Sequence, residues 1–469
     1  MKRIILLFSL LVVACASPSY PGVDQPNSMG NTSEDQAIID YIDQRLESEY
    51  YWLDEVASKC NSFDRRVKWD AYLGSVLSRL TSNTDDGYVT SNGKRVYYSY
   101  IRELSSTTRS QVLGLGIDLH TTIVIVDSQN KNYGFIVEDV YKGSPAEQGG
   151  VRRGDIIVRV NESPINANNY QTLFNSIYQN SMSKVELQLR RQVVVEGESS
   201  TYSIELESGS YEESTVAHSE IIRGIKPVGY LVYTGFESAY DDELLAALRE
   251  FANEGIKEVI LDLRTNTGGA LTSAIKLTST LLPASFEGAV LCEVRRNPKN
   301  IRSAVSEMFH LQPMEFNLDI DHLTVITSAS SASASELVIM GLRGLDVPVT
   351  LVGDTTQGKN CGMDVTVREI GSVVVEYAPI TFMCFNAKGV GDWGEGIAAD
   401  VNVKEIDEYY PLPRVPWGSD YVMEDVALRT ALESVGYRFE DGTRSGAQSD
   451  GFERAATVEE PAAGIRLYE

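Results

Sequence analysis

Histidine is nearly missing from this 469-residue chain: there are four, His120, His218, His310 and His322. Their spacing gives no support to metal ligation, and none lies in a recognisable triad motif. Cysteine is also scarce, with five residues and no C-x-x-C pair, which leaves a structural zinc site without support. Basic residues are outnumbered, 41 against 66 acidic, for a formal net charge of −25. That balance argues against nucleic acid as a partner and reads as a device for solubility. No pair of carboxylates stands in a glycosidase-like motif, no internal repeat is visible, and no cofactor or metal is expected. What remains, 43% hydrophobic and 23% charged residues, is ordinary for a globular protein with two or three domains.

The first fifteen residues differ from the rest. Lys2 and Arg3 precede an apolar run from Ile4 to Ala14. That run is too short to span a bilayer and reads as a signal peptide, residues 1–14. The ending Val12-Val13-Ala14-Cys15 resembles the lipobox of bacterial lipoproteins, which implies lipidation at Cys15, with a plain secretory signal as the alternative. The expected location is the cell envelope, on a bacterial membrane, with the outer membrane (periplasmic or surface face) favoured. Residues 15–33 are small, polar and Pro/Gly-containing, a flexible tether. Of the other cysteines, Cys361 and Cys384 could pair across a hairpin near Ile370–Gly371, while isolated thiols serve equally well.

Residues 34–108 carry helical patterns over 33–51, 54–60 and 69–80, with Tyr50, Tyr51, Trp52, Trp69 and Tyr72 as packing between them. From 109 to 208 the pattern switches to short strands at 122–126, 134–140, 155–160 and 184–190. A polar stretch from Ser208 to about Ala217 reads as a linker. The region 218–437 alternates apolar strands (228–232, 258–263, 323–327) with helices (239–251, 273–282), an α/β layer pattern. Residues 438–469 lose apolar periodicity and read as a poorly ordered tail.

Within 109–208 stand Leu113-Gly-Leu-Gly-Ile117, Gly143-Ser-Pro-Ala146 and Gly149-Gly-Val-Arg-Arg-Gly-Asp-Ile-Ile157. A glycine-rich turn ahead of a strand leaves backbone N–H groups free to hold a terminal carboxylate, and the strand's edge can accept a peptide. The series resembles a PDZ domain of the protease-associated kind. The resemblance implies that Leu115, Gly116 and Ile117 form the carboxylate-binding turn.

The most informative segment is 323–340, where an apolar strand enters Ser-Ala-Ser-Ser-Ala-Ser-Ala-Ser-Glu and an apolar helix leaves it. Small residues permit a sharp turn that sets one hydroxyl at a helix N-terminus, where free N–H groups can stabilise an oxyanion. Ser333-Ala-Ser-Glu336 is also a capping box, which by itself requires no catalysis. Beyond it lies Leu351-Val-Gly-Asp-Thr-Thr-Gln-Gly-Lys359, and ahead of it Leu261-Asp-Leu-Arg-Thr-Asn-Thr-Gly-Gly269. Together these three segments resemble the C-terminal processing proteases of serine peptidase family S41, over residues 34–437 and in the same domain order. The resemblance implies an α/β, crotonase/ClpP-like protease core with a PDZ-like module and an N-terminal helical region. It also implies a Ser-Lys dyad in which Ser333 is the nucleophile and Lys359 the base. The implied oxyanion donors are the N–H of Ala334 and one from Gly268 or Gly269.

The chemistry asks that Lys359 be buried, since a solvated lysine is protonated at neutral pH and burial favours the free amine. Tricorn-like relatives use histidine, so His218 and His322 are secondary candidates. One departure stands out: the family commonly has glutamine four residues after the lysine, and Met363 is found here. Either Asn360 or a backbone carbonyl would then orient the amine, or activity is reduced. The expected activity is endopeptidase cleavage of polypeptides captured by a C-terminal tail. The rival expectation is a catalytically lapsed, lipid-anchored PDZ scaffold.

Overall fold

The computed structural model describes residues 32–90, 93–104, 112–127, 129–178, 182–191, 200–224, 226–403, 414–439, 453–457 and 465–468. The signal peptide, most of the tether and Cys15 lie outside the described residues.

The strands of residues 228–353 are near-continuously apolar, and this builds a sheet covered on both faces. Its order is Val216–Ile222, Val228–Tyr233, Glu258–Asp262, Leu323–Thr327, Val349–Gly353 and Val401–Asn402, parallel throughout except for the first strand. Leu231, Tyr233, Leu261, Val325 and Leu351 point to one face, where helices Asp241–Asn253, Leu271–Leu281 and Ala334–Gly344 cover them. Tyr230, Val232, Ile260, Ile326 and Val352 point to the other, under helix Val426–Ser434. Parallel strands covered on both sides leave their carboxyl ends as the natural place for a site.

A second sheet runs Ser306–His310, Val290–Arg296, Ile380–Asn386, Cys361–Ile370, Val373–Ala378 and Tyr100–Glu103. Its last strand comes from the N-terminal region, so that region is part of the core's own sheet. Helices Ser33–Glu49, Leu53–Lys59 and Trp69–Leu77 pack there, with Tyr50 and Tyr72 fully buried and Tyr51, Trp52 and Trp69 partly so. Thr32 caps the first helix, and Asp35 answers it in a capping box.

Cys60, Cys292, Cys361 and Cys384 are all free thiols, which decides between the two readings left open for Cys361 and Cys384 in favour of isolated thiols. Cys361 lies opposite Met383 in the ladder, so Cys384 points to the other face of the sheet. Cys361 packs in the N-terminal cluster and Cys384 in the cluster under the catalytic-turn helices.

Between these parts, strands Ile117–Asp127, Asn132–Val140, Asp155–Val160, Lys184–Arg191 and Thr201–Glu207 form the PDZ-like sheet, with helix Tyr170–Tyr178 against it. Leu115 is fully buried, and Gly116 has φ +74°, where a Cβ would lie 2.2 Å from Ser144 Cβ. The stretch 208–217 is more than a linker, because Gly209–Tyr211 pairs with Val112–Gly114 and closes the entry and exit of the module. Arg153 of the module stacks on Trp417, 3.5 Å from the ring centroid, and donates to Val415 O at 2.6 Å. In residues 438–469, Glu453–Thr457 pairs antiparallel with Ile117–Asp127, and Ile465–Tyr468 pairs parallel with Cys361–Ile370.

Candidate active site

The serine-rich run is neither linker nor repeat. Three of its five hydroxyls tie the turn after Leu323–Thr327 to the turn after Glu258–Asp262. Ser328 Oγ donates to Arg264 O at 2.6 Å, Ser331 Oγ to Leu263 O at 2.8 Å and Ser335 Oγ to Asn266 O at 3.0 Å. Ser333 is not among them. It is 0% exposed, and its Oγ has no hydrogen-bond partner among the described residues. Its backbone sits at φ +60°, ψ −109°, a conformation that costs a side-chain-bearing residue on the order of 1–3 kcal/mol. The strain is held by Leu337 N donating to Ser333 O, and by Ser333 N donating to Glu336, both at 2.8 Å.

Glu336 does more than cap its helix. Its carboxylate is fully buried and accepts four hydrogen bonds from two separate turns. Oε2 receives Ser333 N and Lys359 N, each at 2.8 Å; Oε1 receives Gly358 N at 2.7 Å and Thr356 Oγ1 at 2.6 Å. Burial pushes this carboxyl up, while the hydrogen-bond donors pull it back down. The turns carrying Ser333 and Lys359 are therefore held within two hydrogen-bond lengths of each other through one oxygen.

The third turn joins them. Asn266 accepts from Gly268 N at 2.9 Å and donates to Tyr233 O at 2.9 Å, while its carbonyl accepts Ala332 N at 3.2 Å. Gly268, at φ +106°, lies so close that a Cβ there would be 2.8 Å from Ser333 Cβ and 3.1 Å from Ala334 N. Gly268 N is already taken by Asn266 Oδ1, and Gly269 lies against Phe236. Behind this turn Arg264 is buried, bonded to Asp262 at 2.6 Å and Asp425 at 3.1 Å, with Trp417 beside it.

Lys359 is 0% exposed, and its Nζ stands 4.1 Å from the centroid of the Tyr98 ring. Asn360 Nδ2 donates to Gly391 O at 2.6 Å. Met363 is buried in the N-terminal apolar cluster. His218 hydrogen-bonds Glu220 at 3.2 Å and packs on Tyr230, on the face under helix Val426–Ser434. His322, ahead of the amino end of Leu323–Thr327, pairs with Thr350 Oγ1 at 2.8 Å. Leu115, Gly116 and Ile117 lie in the PDZ-like module, outside this cluster of turns. Among the described residues no group of His, Cys, Asp and Glu could hold a metal ion.

Sequence reasoning named Ser333, Ala334, Gly268, Gly269 and Lys359, and the structure brings their turns together. It passed over Glu336, visible only as a cap, and Asn266, Arg264 and Tyr98. For Asn266 and Arg264 the signal available was position within the Leu261–Gly269 turn. Tyr98 had none.

Known proteins resemble this chain over its core and its module. The peptidase family S41 model matches residues 227–402 and a PDZ domain model matches residues 136–191. A "Probable CtpA-like serine protease" of Staphylococcus aureus (strain MSSA476) is 24% identical over 386 residues, 80% of this chain and 71% of the relative. Its namesake in Staphylococcus epidermidis is 23% identical over 394 residues, 80% and 72% of the two chains. A solved structure assigned to the S41 proteases, from Bacteroides fragilis NCTC 9343, is 25% identical with a TM-score of 0.67, covering 88% of this chain and 99% of that one. The strained serine turn, the buried lysine and these matches lead to one conclusion: the chain is a serine-type peptidase, similar over residues 227–402 to peptidase family S41 and over residues 136–191 to a PDZ domain.

Proposed function

We propose that peptide bonds are cleaved through an acyl-enzyme on Ser333, with Lys359 as general base and then general acid. The observation that carries this reading is the shared Glu336 carboxylate, which ties the serine turn to the lysine turn. Burial disfavours the ammonium form of a lysine, so an enclosed Lys359 can offer a neutral amine. In acylation the amine takes the Ser333 proton as the oxygen attacks the scissile carbonyl, and then passes it to the leaving amine. The N–H groups of Ala334, at the helix N-terminus, and Gly269 would hold the oxyanion. One such donor is typically worth about two to three orders of magnitude in rate.

The core is read as crotonase/ClpP-like in type. The PDZ module would take a polypeptide's C-terminal tail at Leu115, Gly116 and Ile117. Ser333 and Lys359 are both 0% exposed, which favours a cleft that stays closed until a tail engages. Cys15 would anchor the protein by lipid in the cell envelope. Export and the anchor are tested by Cys15→Ala, which should move the protein from the membrane to the soluble envelope fraction.

The dyad is tested with a fluorophosphonate probe. The full chain should be labelled, and Ser333→Ala and Lys359→Ala should not. Absence of labelling in the wild type, with and without a tailed peptide, would favour the lapsed scaffold.

A further inference from the structure

The N-terminal region supplies a side chain to the base. Tyr98 is buried, 3% exposed, and presents its ring face to Lys359 Nζ at 4.1 Å. Its place is fixed from three sides. Tyr98 N and Ser99 N donate to Asp86 Oδ1 at 3.1 and 2.8 Å. Asp86, fully buried, also accepts Tyr50 OH and Ser99 Oγ, both at 2.7 Å. Ser99 Oγ in turn receives Ile380 N from the second sheet at 2.8 Å. Gln357, in the lysine's own turn, reaches Tyr98 OH at 3.5 Å.

We propose that Tyr98 is the positioning residue of the lysine base, its ring face fixing the Lys359 amine and stabilising the ammonium formed when that amine takes the Ser333 proton. This rests on the dyad reading above. In the step the O–H bond of Ser333 breaks, an N–H bond forms at Lys359, and a positive charge appears where there was none.

A ring face suits this task because its attraction for a cation is real but modest, without a formal negative charge. A carboxylate at the same distance would hold the lysine permanently charged. Among the described residues, the titratable groups near Lys359 include the carboxylates of Asp86 and Glu336 and the thiol of Cys361. The Asp86 carboxylate is already committed to four donors, and Glu336 accepts the lysine's backbone N–H. Burial pushes the Cys361 thiol above its ordinary range, so it is uncharged at neutral pH.

The test measures fluorophosphonate labelling of the full chain against pH. Tyr98→Leu should slow labelling about tenfold. It should also move the rising limb of the pH profile to lower pH, because the ammonium has lost its stabilisation. Tyr98→Phe, which keeps the ring face, should recover most of the lost rate and return the limb. If Tyr98→Leu unfolds, a fluorinated phenylalanine at position 98 keeps the volume, strips the negative face and should shift the limb in the same way. Wild-type rate and limb in the folded Leu variant would overturn the proposal. So would equal slowing in Leu and Phe with an unmoved limb, which marks a packing role. Labelling that survives Lys359→Ala would instead remove the dyad reading itself.

Discussion

Ser333 and Lys359 hang from one carboxylate oxygen: Glu336 Oε2 accepts the backbone N–H of each at 2.8 Å. This linkage makes Glu336 the most informative residue to change. Glu336→Gln places an NH2 group against N–H and O–H donors, leaving at least one buried donor unpaired. Each such loss costs about 1–3 kcal/mol. The expected result is loss of about 2–4 kcal/mol in denaturant unfolding, with labelling of Ser333 reduced beyond what that instability explains. Stability and labelling both unchanged would mean that the two turns hold each other without the carboxylate.

Gly268 gives a second, purely steric prediction. A Cβ there would press on Ser333 Cβ at 2.8 Å and Ala332 O at 3.0 Å, from a backbone at φ +106°. Neither neighbour is the free end of a flexible chain, so the serine turn has to shift. Gly268→Ala should lower the labelling rate by about a hundredfold or more while the circular dichroism spectrum stays that of the wild type. A labelling rate within a few-fold of wild type would show that the turn has slack.

Much of this was readable in the sequence because the signals are local. Near-continuous apolar runs in 228–232 and 323–327 announce strands covered on both faces, and the small residues of 328–335 permit a tight turn. The PDZ-like series is legible because its glycines occupy backbone positions closed to other residues, as at Gly116. Glu336 was half legible: the local S-x-x-E cap accounted for the residue so fully that nothing pointed to a second use from residues 356–359. Tyr98 was not legible at all, since its role depends on the Tyr100–Glu103 strand joining the second sheet beside Val373–Ala378. Between the two readings of Cys361 and Cys384, parity decides for isolated thiols. Both lie near the hairpin in sequence, but the ladder sets them on opposite faces.

The contact between the PDZ module and the core should depend on pH. Asp139, partly buried there, accepts Trp417 Nε1 at 3.2 Å and Val140 N at 2.9 Å, and desolvation pushes its carboxyl up to about 6. A carboxyl raised above its unfolded value binds more protons in the folded state between roughly pH 4 and 6. Stability on its account therefore falls as pH rises through that window, and the deficit is complete above it. Asp139→Asn removes the titration. It should raise the melting temperature at pH 7 by the equivalent of about 1–2 kcal/mol, and leave it nearly unchanged at pH 4. A variant equally shifted at both values would assign the effect to packing against Trp417 instead.

The last prediction concerns the edge of the PDZ-like sheet. Strand Ile117–Asp127 would be the outermost strand of its sheet, and the edge open to an incoming peptide, were it not for Glu453–Thr457. That segment pairs antiparallel with it, Glu453 opposite Ile125 and Thr457 opposite Thr122. It therefore runs toward the Leu115–Ile117 turn, as a bound tail adding to that edge would. Two chains cannot use the same row of backbone donors and acceptors. A protein ending at Ser449 should thus bind a free peptide carboxylate more tightly than the full chain. Because the full chain's own segment acts as a tethered competitor at an effective concentration in the millimolar range for a short linker, the gain should be severalfold or larger. Fluorescence polarisation with one labelled peptide, compared between the two lengths, reads it directly. Equal affinities would mean that the segment leaves the edge freely, and that the pairing has no bearing on what the module captures.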